Sequence, residues 1–135
     1  MRQLLFRAKR ATGNGWVEGL PYYNLFGQLC IQPFDDTCCV VIDEDTLGQY
    51  TTLIDHEGRK IFEGDIVEEI DESVLREYFN RWVVHWEEDS CGFEPFSDSV
   101  RNCGHCGGGI YPDHIKVIGN IHDNPEIFPL EVVKT

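Results

Sequence analysis

Short apolar runs, broken by Gly, Pro, Asn and Asp, follow one another along the chain and predict strands rather than helices. Turn-forming residues at 12–15, 32–36 and 55–58 separate some of these runs. The predicted strands are 4–6, 16–17, 25–31, 38–42, 49–54, 60–62, 81–87, 93–96 and 115–121, with one more beginning at Ile66. The segment 71–82 places apolar residues at helical spacing, which predicts one short helix. The pattern as a whole predicts a mainly β protein, α+β at most.

The segment 81–87 has the most regular alternation. Trp82, Val84 and Trp86 occupy every second position, which predicts a strand with one aromatic face. A turn then leads to 93–96, so the two segments are expected to form a hairpin whose aromatic face lies in the core.

Acidic residues outnumber basic ones by 24 to 11, and the net charge of −13 opposes approach to nucleic acid and to an anionic membrane. The longest apolar run, 38–42, is too short to cross a bilayer. The start of the chain lacks the apolar region and cleavage site of a secretory signal. We therefore expect a cytoplasmic protein without a membrane partner, for which nucleic acid is a disfavoured ligand.

The charge is also unevenly placed, with twelve acidic and two basic residues in 63–98 and four basic but no acidic residues in 1–10. One interpretation is a solvated acidic face. The other is that the basic N-terminal strand lies against the acidic segment, within one chain or between subunits. The arrangement between subunits predicts a homo-oligomer.

Six cysteines in a chain without a secretory signal predict reduced thiols, because the cytosol keeps thiols reduced. Cys30, Cys38 and Cys39 stand among apolar, strand-like neighbours. A buried cysteine behaves as a small apolar residue, so all three are expected in the core.

Cys103-Gly-His-Cys106 is the motif with the most suggestive chemistry. A redox Cys-x-x-Cys relies on a helix N-terminus, and the glycine triplet that follows here disfavours a helix. Structural zinc is the better use of this pair, with Cys91 and one of His105 or His114 as the other ligands. A loop of free thiols without a cofactor is nevertheless the expected state of this segment, and the structural zinc is the alternative to it.

Other catalytic patterns do not occur in the sequence. There is no phosphate-binding loop, nucleophile elbow or dinucleotide-binding glycine motif. His85-Trp-Glu87 followed by the later cysteines has the order of a zinc deaminase, but Asn102 replaces the proline expected before the first cysteine. Carboxylate pairs such as Glu63 and Asp65 arise by chance among 24 acids. A non-enzymatic protein is therefore expected.

Three segments together resemble the YopX family of phage and prophage proteins. They are Arg2-x-x-x-Phe6-Arg7-Ala8, the continuous segment Gln49 to Val67, and Val117-Ile-Gly-Asn-Ile-His-Asp-Asn-Pro-Glu126. The segments occur in the family's order and span nearly the whole chain. Thr52 departs from the pattern, because the family usually has a glycine there, and 68–82 and 97–109 lie outside it.

The resemblance implies a small SH3-like barrel around Glu63 to Val67 and the 82–96 hairpin. We expect this barrel in 49–128, with the 97–109 loop, a β lobe in 1–48 before it and a tail in 129–135 after it, all in one compact unit. Gly64 permits a positive φ before a strand, and Asp65 can accept hydrogen bonds from backbone amides. Structural rather than catalytic roles are therefore expected for the motif residues Glu63, Gly64, Asp65, Gly119, Asn120, Asn124 and Pro125.

The family has no established biochemical activity, so function is a matter of expectation. We expect a phage-associated accessory protein in the bacterial host cell that binds a protein partner or itself. The first alternative is a nucleic-acid accessory factor, either binding through the basic N-terminal segment or mimicking DNA with the acidic one. The second is a metal-dependent enzyme.

Overall fold

The computed structural model describes residues 3–70, 81–96 and 111–127. This part of the chain holds eleven strands and two short 3-10 turns, at Glu44–Thr46 and Pro112–His114. The expectation of a mainly β protein is confirmed. Within the same residues, no helix has the length and apolar character required to cross a membrane.

The chain divides into two compact units, which we call the N-terminal unit (1–52) and the C-terminal unit (53–135). One strand, Gly48–Ile54, runs across the boundary between Thr52 and Leu53.

The N-terminal unit is built on antiparallel strands in the order β4-β3-β2-β1-β5. Their bounds are β1 Phe6–Lys9, β2 Trp16–Tyr23, β3 Leu29–Pro33, β4 Val40–Val41 and β5 Gly48–Ile54. Its core contains the buried side chains of Ala8, Val17, Ile31 and Ile42, against which Leu29, Val40 and Leu47 pack.

The basic strand β1 pairs within its own chain. Arg7 lies opposite Glu18 of β2 on one edge and opposite Gly48 of β5 on the other. The Arg7 guanidinium also lies 4.6 Å from the centre of the Trp16 ring, a cation–π contact. Since both edges of β1 are used at Arg7, strand exchange through this segment lacks the free edge that it requires. Homo-oligomerisation stays a prediction, but it would have to use a contact other than strand exchange through β1.

Two predicted strands of this unit have different bounds in the structure. The segment 25–31 is mostly a hairpin turn, and β3 begins only at Leu29. The segment 38–42 contributes just two strand residues, Val40–Val41. Turn-forming groups in 24–28 and 34–38 override the strand propensity of the apolar residues beside them.

The expectation that three cysteines lie in the core is right for one of them. Cys30 is buried, whereas Cys38 and Cys39 are exposed. The difference arises because Cys30 lies within β3, while Cys38 and Cys39 belong to the loop that precedes β4. All three carry free thiols.

The C-terminal unit forms separate open sheets. One sheet has three strands in the order β11-β7-β8, and another consists of β9 and β10. The strand β6 is the neighbour of β5 in the sheet that contains β1 to β5. The bounds are β6 Lys60–Phe62, β7 Asp65–Glu69, β8 Arg81–Val83, β9 His85–Glu87, β10 Gly92–Glu94 and β11 Ile115–Asn120.

The core of this unit includes much of the predicted aromatic face. Its buried members are Ile61, Val67, Val84 and Ile115, with Leu53, Trp82, Phe93, Phe96 and Val117 packed against them. The hairpin is confirmed for its second half only, where Trp86 lies opposite Phe93. The predicted strand 81–87 is two strands, and β8 pairs with β7 instead. Trp86 itself is 47% exposed and touches the Phe93 ring edge-on, so its assignment to the core was wrong. Most of the predicted helix, 71–80, falls outside the described residues.

The outer edge of β11 is covered by the tight turn at 55–59. The main-chain amide of Val117 donates to Asp55 Oδ2 at 2.9 Å, and the Val117 carbonyl accepts from Arg59 Nη1 at 3.0 Å. The carbonyl of Ile115 accepts from the amide of His56 at 2.9 Å. An uncovered edge strand would leave these groups open to pairing with another chain.

Asp55 organises that turn. Its side chain is almost fully buried, at 4% exposure, and its Oδ1 accepts from the amides of Glu57 and Arg59 at 2.9 and 2.8 Å. With the bond from Val117, one carboxylate satisfies three backbone donors.

Asp55→Ala should therefore lower the free energy of unfolding by about 3 kcal/mol, because three backbone donors lose the buried carboxylate that accepts from them. Urea denaturation measures the change. Glu57→Ala is the matched control: Glu57 forms an exposed ion pair with Arg59 at 3.0 Å and should cost less than about 1 kcal/mol. Equal effects of the two substitutions would contradict the role given to Asp55.

A second prediction concerns Thr52, which adopts φ +74°. This left-handed conformation is strained for a β-branched residue and unstrained for glycine. Thr52→Gly should raise the free energy of unfolding by about 1 kcal/mol, since relief of about 1–3 kcal/mol of strain exceeds the added entropy of the unfolded chain. Thr51→Gly, in the same strand without a positive φ, should instead destabilise the protein.

Candidate functional site

The loop that joins β2 to β3 presents apolar side chains to solvent. We call residues 23–28, Tyr-Asn-Leu-Phe-Gly-Gln, the β2–β3 tip. Leu25 is 102% exposed and Phe26 is 87% exposed, and Tyr23 beside them is also exposed. Single apolar side chains on a surface are ordinary, but neighbouring exposed ones on one loop are typical of an interaction site.

Asn24 fixes the shape of the tip. Its Oδ1 accepts from the amides of Phe26 and Gln28, both at 2.9 Å, and its Nδ2 donates to Gln28 Oε1 at 2.9 Å. Because the Asn24 side chain acts as a substitute for backbone partners, the turn keeps its shape while Leu25 and Phe26 stay exposed.

Backbone bonds close the same turn. The amide of Asn24 donates to the carbonyl of Gln28 at 2.9 Å, and the amide of Gly27 donates to the carbonyl of Asn24 at 3.0 Å. Gly27 has φ +79°, and a Cβ there would meet nothing within 4 Å, so the conformation alone favours glycine. The tip is therefore a defined turn rather than a loose loop.

The base of the tip holds an unusual tyrosine. Tyr22, the penultimate residue of β2, lies opposite Cys30 of β3. Hydrogen bonding to the Cys39 side chain, reinforced by desolvation, raises the pKa of Tyr22 to about 12. Tyr22 therefore stays neutral well above the pH at which an ordinary tyrosine ionises.

The motif residues of the C-terminal unit serve its turns. Gly64 has φ +87°, its amide donates to the carbonyl of Val84 at 2.8 Å, and the His122 ring lies near the position of a Cβ. Asp65 is buried, and its Oδ2 accepts from the amide of Phe62 at 2.8 Å. Glu63 precedes this pair in the same turn. The hydrogen bonds of Gly64 and Asp65 are therefore formed with backbone groups of the protein itself.

A second turn follows β11. Asn120 Oδ1 accepts from the amides of His122 and Asp123 at 3.0 and 2.9 Å. Gly119 lets Asn124 approach, because a Cβ on Gly119 would lie 2.6 Å from Asn124 Oδ1. Pro125 continues the chain after that contact. The hydrogen bonds described for this turn are likewise formed within its own loop.

The predicted zinc ligands are described only in part. Cys103, His105 and Cys106 fall outside the described residues. Cys91 is exposed in the turn after β9, where its amide and its Sγ both face the carbonyl of Glu88, and His114 ends a 3-10 turn with its ring beside Tyr111. Over the residues that the structure describes, no group of three or more His, Cys, Asp or Glu side chains could hold a metal ion. The zinc site stays a prediction.

The β2–β3 tip was missed at the sequence level because its apolar residues were assigned to a strand. The signal lay in Asn24 and Gly27, which flank Leu25-Phe26 and are both turn formers. Apolar residues inside such a frame have no strand partner and face solvent.

Comparison with known proteins supports the family resemblance. Residues 6–129 match the family model described as YopX protein. The crystal structure of protein EF1440 from Enterococcus faecalis is similar in fold, with a TM-score of 0.57 at 21% sequence identity over 94% of this chain and 99% of that chain. No curated protein matches the sequence.

Asn24→Ala should loosen the β2–β3 tip, with a loss of about 1 kcal/mol in the free energy of unfolding. Amide hydrogen exchange at Phe26 and Gln28 should accelerate, because both donors lose their acceptor. Asp36→Ala is the matched control, since Asp36 Oδ1 accepts from the amide of Cys38 in the next loop. Unchanged exchange at Phe26 in Asn24→Ala would contradict a side-chain-fixed turn.

Proposed function

The chain belongs to the YopX family, and from that premise we propose that it is a non-enzymatic accessory protein of a phage or prophage that binds another protein through the β2–β3 tip. The observation that carries the proposal is the high exposure of Leu25 (102%) and Phe26 (87%) on a turn fixed by Asn24. The polar side chains of the family motifs form hydrogen bonds to backbone groups in turns, which supports a binding role over a catalytic one.

A fixed turn favours binding because little conformational freedom is lost when the partner arrives. Burial of an exposed leucine or phenylalanine contributes roughly 1.5–3 kcal/mol each. Aromatic and apolar anchors that enter a pocket commonly carry most of the affinity of an interface. Leu25 and Phe26 therefore suit an apolar pocket on the partner.

The net charge of the chain indicates which charge the partner's surface should carry around its apolar pocket. At −13, the protein repels a second copy of itself at low salt and attracts a basic surface. We therefore propose a host or phage protein whose apolar pocket is bordered by lysine or arginine. Self-assembly through the β2–β3 tip is the second candidate, and it requires salt to screen the like charges.

The scaffold part of the proposal is an SH3-like arrangement of the short strands in 49–128, as the family resemblance implies. The pairing of β7 with both β8 and β11, and the adjoining β9–β10 hairpin, support it. On such a scaffold the C-terminal unit contributes stability and the N-terminal unit contributes the β2–β3 tip.

The test is a photo-crosslinking amino acid in place of Phe26, in host cells that carry the phage or prophage. Once the crosslinked protein is identified, its affinity for the purified chain is measured by calorimetry with and without the double substitution Leu25→Ser and Phe26→Ser. Loss of two anchors should weaken binding at least a hundredfold. The melting temperature should stay unchanged, because both side chains are exposed.

Phe34→Ser is the matched control, because Phe34 is an exposed aromatic residue of the same unit outside the tip. It should leave the affinity intact. If the double variant binds as well as the wild type and binding disappears in salt, recognition uses the acidic surface, as a DNA mimic would, and the proposed role of the tip is wrong. A dimer mass for the wild type alone, lost in the double variant, would instead establish self-assembly.

A further inference from the structure

Two cysteines and a tyrosine lie on one face of the sheet in the N-terminal unit. Tyr22 stands opposite Cys30 in the β2–β3 ladder, and Cys30 stands opposite Val41 in the β3–β4 ladder. Cys39 precedes Val41 by two residues. We take the alternation of side chains in β4 to continue one residue before Val40, which puts Cys39 on the face of Cys30, diagonally across from it.

The interactions of these groups agree with that placement. Burial, followed by the neighbouring Cys39 thiol, raises the pKa of Cys30. The Cys39 side chain is also the main cause of the raised pKa of Tyr22. One exposed thiol, Cys39, therefore lies against one fully buried thiol, Cys30.

Cys30 is held in place from its other side. Asn24 Nδ2 lies 3.5 Å from Cys30 Sγ, and that sulfur lies 3.6 Å from the carbonyl oxygen of Gln28. Cys39 is less constrained, since it lies outside the two residues of β4. Diagonal neighbours are about 7–8 Å apart between Cα atoms, and a disulfide requires about 4.4–6.8 Å, so a shift of roughly 1–2 Å in the free loop suffices.

We propose that Cys39 is a thiol modification site for low-molecular-weight disulfides, and that Cys30 is the resolving thiol that completes a Cys30–Cys39 disulfide. Access selects Cys39 for the first reaction, because Cys30 is closed to solvent. Cys30 carries out the second reaction because it lies close to Cys39. Cys38 is the neighbouring exposed thiol, and in this proposal it takes no part.

The reaction proceeds in two exchanges. The Cys39 thiolate attacks one sulfur of the small disulfide, a bond forms between Cys39 and that sulfur, and the other half leaves as a thiolate. The Cys30 thiolate then attacks Cys39 Sγ, forms the internal disulfide and releases the second half. Two protein thiols are oxidised, one small disulfide is reduced to two thiols, and the two protons pass to the released thiolates.

The second exchange depends on pH. Because the pKa of Cys30 is raised, its thiolate is scarce at neutral pH, and the fraction grows about tenfold for each pH unit below that pKa. The mixed disulfide on Cys39 should therefore accumulate at pH 7 and resolve faster at pH 9.

The experiment treats the full chain with oxidised glutathione, blocks the remaining thiols, and analyses an Asp-N digest without reduction. Cleavage before Asp35, Asp36 and Asp43 separates residues 1–34, with Cys30, from 36–42, with Cys38 and Cys39. The expected product is these two peptides joined by one disulfide. This readout is independent of Cys91, Cys103 and Cys106, which lie in other peptides.

Cys38→Ser and Cys39→Ser are the matched pair, since both residues are exposed and adjacent. Cys38→Ser should keep the link, and Cys39→Ser should abolish it. Cys30→Ser should stop the reaction at the mixed disulfide with glutathione. The proposal is overturned if the wild type yields no link in oxidised glutathione alone, if Cys39→Ser still links Cys30, or if the disulfide joins Cys38 to Cys39.

Discussion

The edge of β11 must be covered, and the carboxylate of Asp55 is the group that covers it. An outer strand with open amides and carbonyls would pair with any extended chain. Asp55 accepts from Val117 on that edge and from two amides of its own turn, so one buried side chain both shapes the 55–59 turn and attaches it to β11. The placement of β11, and of the Asn120 turn that follows it, depends on this contact.

The same device recurs where short strands reverse direction. Asn24, Asp65 and Asn120 each accept hydrogen bonds from backbone amides in or beside a turn. Side-chain oxygens used in this way are unavailable to a substrate. These polar motif residues hydrogen-bond to the backbone of the fold, whereas Leu25 and Phe26 expose apolar surface. That contrast is the observation on which the proposed binding role rests.

Much of the fold was predictable from local chemistry. The turn at 55–58, the strands on either side of it and the strand 115–120 follow from residues adjacent in sequence, because turn formers and apolar runs act locally. The departure at Thr52 is of the same kind: a family glycine position proved to be one with a positive φ. The site was harder, since the apolar character of Leu25 and Phe26 is equally typical of a strand, and only the bonds of Asn24 distinguish the two.

The sequence by itself determined the β class, the family and the acidic surface, because each follows from composition or from short motifs read in order. Tertiary structure alone decided which apolar and thiol groups are buried. Cys30 is closed off while Cys39 is exposed, and Val84 is buried while Trp86 is not. Burial is a property of what packs against a side chain, and those partners come from strands distant in sequence, so no local pattern specifies it.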